Sequence, residues 1–392
     1  MAKSQNWRPF YMVSLALIMG TIGTALASPL YPIYQGLWQL LPSQITYIFV
    51  AYMFGCLATL LFLGRASNSF GFLRTLQAGM LFVIAGLTVS VFASNVIVLS
   101  AARFLIGIAS GLITTSAMLG LIYTIPDSHK QHAPQISSIV TVIGFGLGPI
   151  TGGLIAQFSA WPLIMPYLPV ILGAVICVIG LFSIKHRPAE TQAFTAAPHL
   201  QLPERQYHQE FYLAGITAFC AFAAFSLFAS LAPSFIQDII PWHGPLVSGA
   251  TISSILLISA IAQIYAKQIA PHKVLKMGLI SFIFGYITLS LCMLLQWGSL
   301  FFVSVLMAGA GHGLGLLGAF GIIHSISNSA NRAAVMSTYL FIGYLGTIVP
   351  IIAVGFLTDH FGFSTSIICF CIAIGLLCLM PLLFKAQISD TA

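Results

Sequence analysis

Charge is what this chain has least of. Asp, Glu, Lys and Arg make up 5% of its 392 residues, while 59% are hydrophobic. That ratio excludes a soluble globule, because one water-facing domain cannot bury so much apolar surface. Acids are scarcest: Asp127, Glu190, Glu204, Glu210, Asp238, Asp359 and Asp390 are the seven, and none falls in the middle of an apolar run. No carboxylate is therefore expected to carry protons through the membrane interior. Cysteine is sparse too. Cys56, Cys177, Cys220, Cys292, Cys369, Cys371 and Cys378 all sit in apolar runs, without disulfide or zinc spacing. They read as small packing residues, with Cys369 and Cys371 on different helix faces, and no metal or cofactor is expected. Long polar segments are missing as well. The longest, residues 185–210, has 26 residues, and the tail after 385 has seven. Neither can house the output domain of a sensor.

What is present is apolar sequence in lengths that cross a bilayer, about 20 residues each. Spans are expected at 10–34, 44–63, 75–94, 96–123, 135–158, 163–184, 211–236, 246–266, 277–296, 299–326, 334–357 and 362–385. The polar stretch splits them six and six. The expected organisation is an N-terminal bundle over 1–184, a cytoplasmic linker over 185–210 and a C-terminal bundle over 211–392. With both termini cytoplasmic, Lys3, Arg8, Arg65, Arg74, Lys130, Lys185, Arg187, Arg205, Lys267, Lys273, Lys276, Arg332 and Lys385 all fall on the inner side. No Lys or Arg falls in an outer loop, which is the positive-inside pattern. The net charge of +7 thus faces lipid headgroups and does not point to nucleic acid. Ala25, Leu26 and Ala27 resemble a signal-peptidase site, but the run from Phe10 to Tyr34 is too long for a signal h-region. This helix is expected to stay.

The halves repeat without a gap over five spans. Ala27 and Ser28 match Ala229 and Ser230, Gln35 matches Gln237, and Arg65, Arg74 and Lys130 match Lys267, Lys276 and Arg332. Gly107, Gly111, Gly144 and Gly153 match Gly309, Gly313, Gly346 and Gly355, every pair 202 residues apart. Six is even, so both repeats enter the membrane in the same orientation. Parallel six-helix repeats are a transporter architecture with the substrate site near the midplane.

The fifth span contains Gly144, Gly146, Gly148, Pro149, Gly152 and Gly153. Gly144, Gly148 and Gly152 share a helix face, which by itself reads as close helix packing. Together with the repeat, this stretch resembles the antiporter motif of the drug:proton exporter branch of the major facilitator superfamily. Arg103 and Gly107 resemble that family's fourth-helix motif. The loop Gly64, Arg65, Asn68, Gly71, Arg74 resembles its signature loop, with Asn68 where the family has Asp. The resemblance implies an all-α membrane protein of twelve helices in two pseudo-symmetric six-helix bundles. It also implies export by alternating access in exchange for protons. Gly64, Asn68, Gly71, Arg74, Gly144, Gly148, Pro149, Gly152 and Gly153 would serve the conformational cycle.

Two ionisable side chains remain inside. Arg103 stays protonated and can attract an anion. His312, near the middle of the tenth span, matches Ser110 at the repeat offset. An intramembrane ionisable group points to function by default, and histidine titrates near physiological pH. Tyr31, Ser110, Phe225 and Tyr344 are the expected lining. A fixed cation without an acid favours neutral or anionic amphipathic molecules, such as a drug, a metabolite or a siderophore, over strong organic cations. Rival readings are an uptake symporter or an uncoupled facilitator on the same fold. An intramembrane enzyme using His312 is disfavoured, since no partner for it is visible on the tenth span. The expected partners are the substrate, protons and the bilayer, for a monomer in a bacterial inner membrane.

Overall fold

The computed structural model describes residues 7–126, 129, 133–184, 193–198, 200–328 and 331–383. Lys3, Asp127, Lys130, Lys185, Arg187, Glu190, Lys385 and Asp390 lie outside the described residues, as does the front of the expected linker. Every regular element among the described residues is helical. In hydrocarbon a backbone must satisfy its own polar groups, and a helix does so within one segment.

Helix α1 covers Arg8–Ala25, α2 Tyr31–Trp38, α3 Pro42–Ala58, α4 Ala66–Phe70, α5 Phe72–Val91, α6 Val96–Thr124 and α7 Ala133–Phe158. Next come α8 over Tyr167–Phe182, α9 over His208–Ser230, α10 over Ala232–Phe235 and α11 over Pro245–Ala266. The last three are α12 over Pro271–Leu295, α13 over Gly298–Ser325 and α14 over Arg332–Leu383. Among the described residues, ten helical segments are long and apolar enough to cross a membrane, and α8 is a shorter apolar helix. Helix α14, at 52 residues, holds two spans that part at Gly362, where φ is +76°. Twelve spans result. Asn95 starts α6 as a cap, its Oδ1 accepting from the Val98 N–H at 3.0 Å.

The first span differs from the expected continuous 10–34. Helix α1 ends at Ala25, a 3-10 turn covers Ser28–Leu30, and α2 then begins. Pro29 removes the donor that Ala25 O would have used. The Thr21 and Thr24 hydroxyls also compete for the carbonyls of Leu17 and Thr21, at 2.7 and 2.8 Å. The turn between the fifth and sixth spans is longer than expected, leaving α8 only 16 residues.

Two compact units make up the chain. One holds Met1–Leu40, Tyr47–Pro198 and His243–Ser253; the other holds Leu41–Thr46, His199–Trp242 and Ser254–Ala392. The first turns of α3 and α11 are thus each counted with the unit that holds most of the opposite half of the sequence.

The 202-residue offset recurs as packing inside each unit. In the first, Gly107 approaches the backbone of Tyr52 and Gly55, and Gly111 approaches Thr59. In the second, Gly309 approaches Ile255 and Ile258, and Gly313 approaches Ser259. Gly153 lies against Pro245, and Gly355 lies against Ser43 and Thr46. Outward faces stay apolar: Leu172, Ile176, Ile179 and Phe182 on α8 are exposed, as are Phe284, Ile287 and Leu294 on α12. Such faces suit lipid. Six cysteines are buried, and Cys369 is exposed.

Candidate functional site

Arg103 is 1% exposed, the largest fully buried side chain of the chain's described core. Its Nη1 donates to Thr24 O at 2.9 Å, at the carbonyl end of α1. Its Cζ lies 4.7 Å over the Tyr52 ring on α3. The break in the first span creates this seat: the end of a helix carries partial negative charge, which offsets a buried cation, and the aromatic face adds to it. No carboxylate among the described residues pairs with Arg103. The Tyr52 hydroxyl lies 3.1 Å from Ser110 Oγ, so Arg103 and Ser110 meet through one tyrosine. Tyr34 and Tyr167 share a hydrogen bond of 3.1 Å nearby. Tyr31 is fully buried, with its hydroxyl beside Arg103 and Ser28. Both that hydroxyl and Arg103 Nε are sealed without a hydrogen bond of good geometry. A buried polar group that makes no hydrogen bond at all costs about 1–3 kcal/mol, and contact between the guanidinium and the phenol reduces that cost here.

The second unit holds the other cluster. His312 on α13 places Nδ1 at 2.9 Å from Ser259 Oγ on α11. Gln263 Nε2 donates to the same oxygen at 3.3 Å. The Phe225 ring lies 5.7 Å from the imidazole. One turn away on α9, Phe222 packs edge-on against Tyr344 at 5.6 Å. Ser226 Oγ donates to Thr347 Oγ1 at 2.8 Å. His312, Phe225 and Tyr344 are half-buried. Among the residues singled out by sequence, Arg103, Tyr31 and Ser110 gather in one unit; His312 and Phe225, with Tyr344 beyond Phe222, gather in the other.

Of the fifth-span glycines, Gly144, Gly148, Gly152 and Gly153 are closely packed, and Gly146 is not. A Cβ on Gly152 would lie 2.2 Å from Leu26 O, and one on Gly148 2.7 Å from Ala25 Cβ. One on Gly144 would overlap the Thr21 hydroxyl. Pro149 and Gly153 face α11: Gly249 approaches Pro149 O, and Gly153 approaches Pro245 O. Ser253 Oγ donates to Gly146 O at 2.6 Å, in the stretch that Pro149 loosens. In the loop after α3, Gly64 lies close under Leu60 O, and Gly71 has φ of +84° between α4 and α5. Asn68, Arg65 and Arg74 are exposed.

Four contributors escape sequence spacing. Tyr52 and Ser259 act on partners in other helices, and Gln263 reaches His312 only through Ser259 on its own helix. Asp359 Oδ1 accepts from the Ser43 N–H at 3.0 Å and so caps α3. At the repeat offset Asp359 matches Gln157, whose side-chain amide lies against Gly244 just before α11. The offset was the available signal for that pair.

Comparison with known proteins agrees with this architecture. The family described as the Major Facilitator Superfamily matches residues 13–349. A riboflavin transporter, RibZ, of Clostridioides difficile is 23% identical over 177 residues, 45% of this chain and 39% of that protein. The human synaptic vesicular amine transporter is 26% identical over 200 residues, 47% of this chain and 36% of that one. The chain thus spans well under half the length of these curated relatives. Among solved structures, a mutant of the nucleoside transporter NupG superposes with a TM-score of 0.76 at 13% identity, covering 96% of this chain and 100% of that chain. The D-xylose–proton symporter gives 0.74 at 15% identity, over 98% and 99%.

Proposed function

Since the chain belongs to the Major Facilitator Superfamily, and so is a multi-pass membrane transporter, we propose that it exports a small apolar or amphipathic molecule, neutral or anionic, in exchange for protons. The proposal includes alternating access between six-helix halves over 1–184 and 211–392, joined by the segment 185–210. It places a monomer in a bacterial inner membrane with both termini cytoplasmic.

The observation that carries the substrate class is the charge inventory of the spans. Arg103 is buried without an acid, and no described Asp or Glu lies in the middle of a span. A strong organic cation entering such an interior meets nothing that offsets its desolvation. Riboflavin, for which one relative is named, is neutral and fits this class. The amines named for another relative fit it poorly. The fifth-span motif supports export through family association. The same lack of a mid-span carboxylate also favours a second reading, an uncoupled facilitator.

His312 is the coupling group in this proposal. His312→Ala is expected to abolish transport driven by a pH gradient while leaving counterflow in reconstituted vesicles. Persistence of both would remove His312 from coupling. Direction is tested by untargeted mass spectrometry of cells and spent medium, from strains lacking and overproducing the protein. A compound retained without the protein and enriched outside with it establishes export; the opposite distribution means uptake.

Asn68 offers a milder test. An Asp there would restore the charge that the family's loop uses to latch the cytoplasmic side. Asn68→Asp is expected to slow cycling by up to about fivefold, the scale of an exposed ion pair. An unchanged initial rate in vesicles would refute the latch.

A further inference from the structure

His312 is held by a chain of side-chain hydrogen bonds that begins on another helix. Gln263 and Ser259 are one turn apart on α11. Gln263 Nε2 donates to Ser259 Oγ at 3.3 Å, and Ser259 Oγ lies 2.9 Å from His312 Nδ1. The backbone fixes the approach, because a Cβ on Gly313 would lie 2.2 Å from Ser259 O. The other ring nitrogen, Nε2, has no partner among the described residues and is not sealed away.

The chain has a direction. An amide nitrogen only donates. Ser259 Oγ therefore receives one hydrogen bond and keeps one hydrogen to give, which an unprotonated His312 Nδ1 at 2.9 Å is placed to accept. A neutral imidazole that accepts through Nδ1 carries its proton on Nε2. Protonating the ring adds a hydrogen at Nδ1 and turns the bond to Ser259 around. The serine hydrogen then turns to a carbonyl of its own helix, as mid-helix serines do. The Nε2–H is the same in both states.

We infer that Ser259 and Gln263 are positioning residues that keep the His312 proton on Nε2, so that this position always offers the ligand a hydrogen-bond donor. The ligand must then present an acceptor there, such as a carbonyl, a carboxylate or a ring nitrogen. The ligand part rests on the reading of His312 as part of the transport path; the tautomer does not. Replacing the donor by an acceptor should reverse the chain. In Gln263→Glu the carboxylate takes the Ser259 hydrogen, Ser259 accepts from His312, and the ring proton moves to Nδ1.

The test is nitrogen NMR of the full-length protein with labelled histidine, in alkaline buffer where the imidazole is neutral. The His312 signals are assigned by their loss in His312→Gln. The native protein is expected to show the Nε2–H form, Ser259→Ala a mixture, and Gln263→Glu the Nδ1–H form. A native Nδ1–H form, or a tautomer unmoved by Gln263→Glu, overturns the inference. Transport that ignores His312→Ala would instead overturn the coupling role and leave the tautomer result standing.

Discussion

Gly152→Ala is expected to lower the protein's stability by about 1–3 kcal/mol or more, while Gly146→Ala, six residues earlier on the same helix, is expected to melt no earlier than the native protein. The two glycines differ in what a Cβ would meet. At Gly152 it would lie 2.2 Å from Leu26 O, 3.0 Å from Leu26 C and 3.2 Å from Leu26 Cα. These are backbone atoms, so no rotamer change removes the clash. Helices α1 and α7 would have to part by about 1 Å, opening their whole seam, and in lipid that seam is held mainly by van der Waals packing. Overpacking of this kind costs about 1–3 kcal/mol and sometimes more. At Gly146 nothing lies within 4 Å, so the new methyl costs nothing and alanine favours the helix by about 1 kcal/mol. Gly148→Ala should fall between, since its nearest neighbour is a side-chain methyl at 2.7 Å. Melting curves of the three variants in detergent give the order directly. Equal melting of Gly152→Ala and Gly146→Ala would mean that the glycine run serves something other than this contact.

That contrast marks where reading the sequence stops. Hydropathy gives the spans because a bilayer sets their length, and the repeat offset gives the pairs Gly107 with Gly309 and Gly144 with Gly346, because both halves solve the same packing problem. Which glycine in a run touches a neighbour is not written in the run; it depends on α1 and α11, about a hundred positions or more away on either side. The same holds for the two ionisable residues. Arg103 and His312 stand out by their chemistry, but their partners Tyr52 and Ser259 are ordinary residues in apolar spans, 51 and 53 positions away. No helical period links them. The break after Ala25 was half visible, since Pro29 was there to be read, but a proline in a membrane helix as often bends it as ends it. The cap that Asp359 places on α3 was hidden for a different reason: capping signals are sought next to the helix they serve, and this one comes from 316 residues away.

Arg103→Met is expected to leave the melting temperature unchanged or raised, yet to cut transport by about 100-fold. A buried charge is a poor source of stability: removing it also removes its desolvation cost, and a well-packed apolar replacement is often neutral or better. Methionine fills much of the volume, and the losses are the bond to Thr24 O and the stack on Tyr52. Function should suffer differently. The guanidinium joins the end of α1, at the break in the first span, to α3 and, through Tyr52, to Ser110 on α6. It does so while its own Nε and the neighbouring Tyr31 hydroxyl, close to each other, form no hydrogen bond of good geometry. Imperfectly bonded groups next to a helix break fit a clamp that must exchange partners as the span moves. Losing about 3 kcal/mol from one state of that exchange corresponds to about 100-fold in rate, at tenfold per 1.36 kcal/mol. Arg103→Lys keeps the charge but gives up the planar fork that donates and stacks at once. It should fold and still transport, about tenfold more slowly. Parallel measurement of melting and of vesicle transport separates the two roles. Full transport by Arg103→Met would reduce Arg103 to a packing residue, and a collapse of melting in the same variant would show that its charge is needed to hold α1 in place.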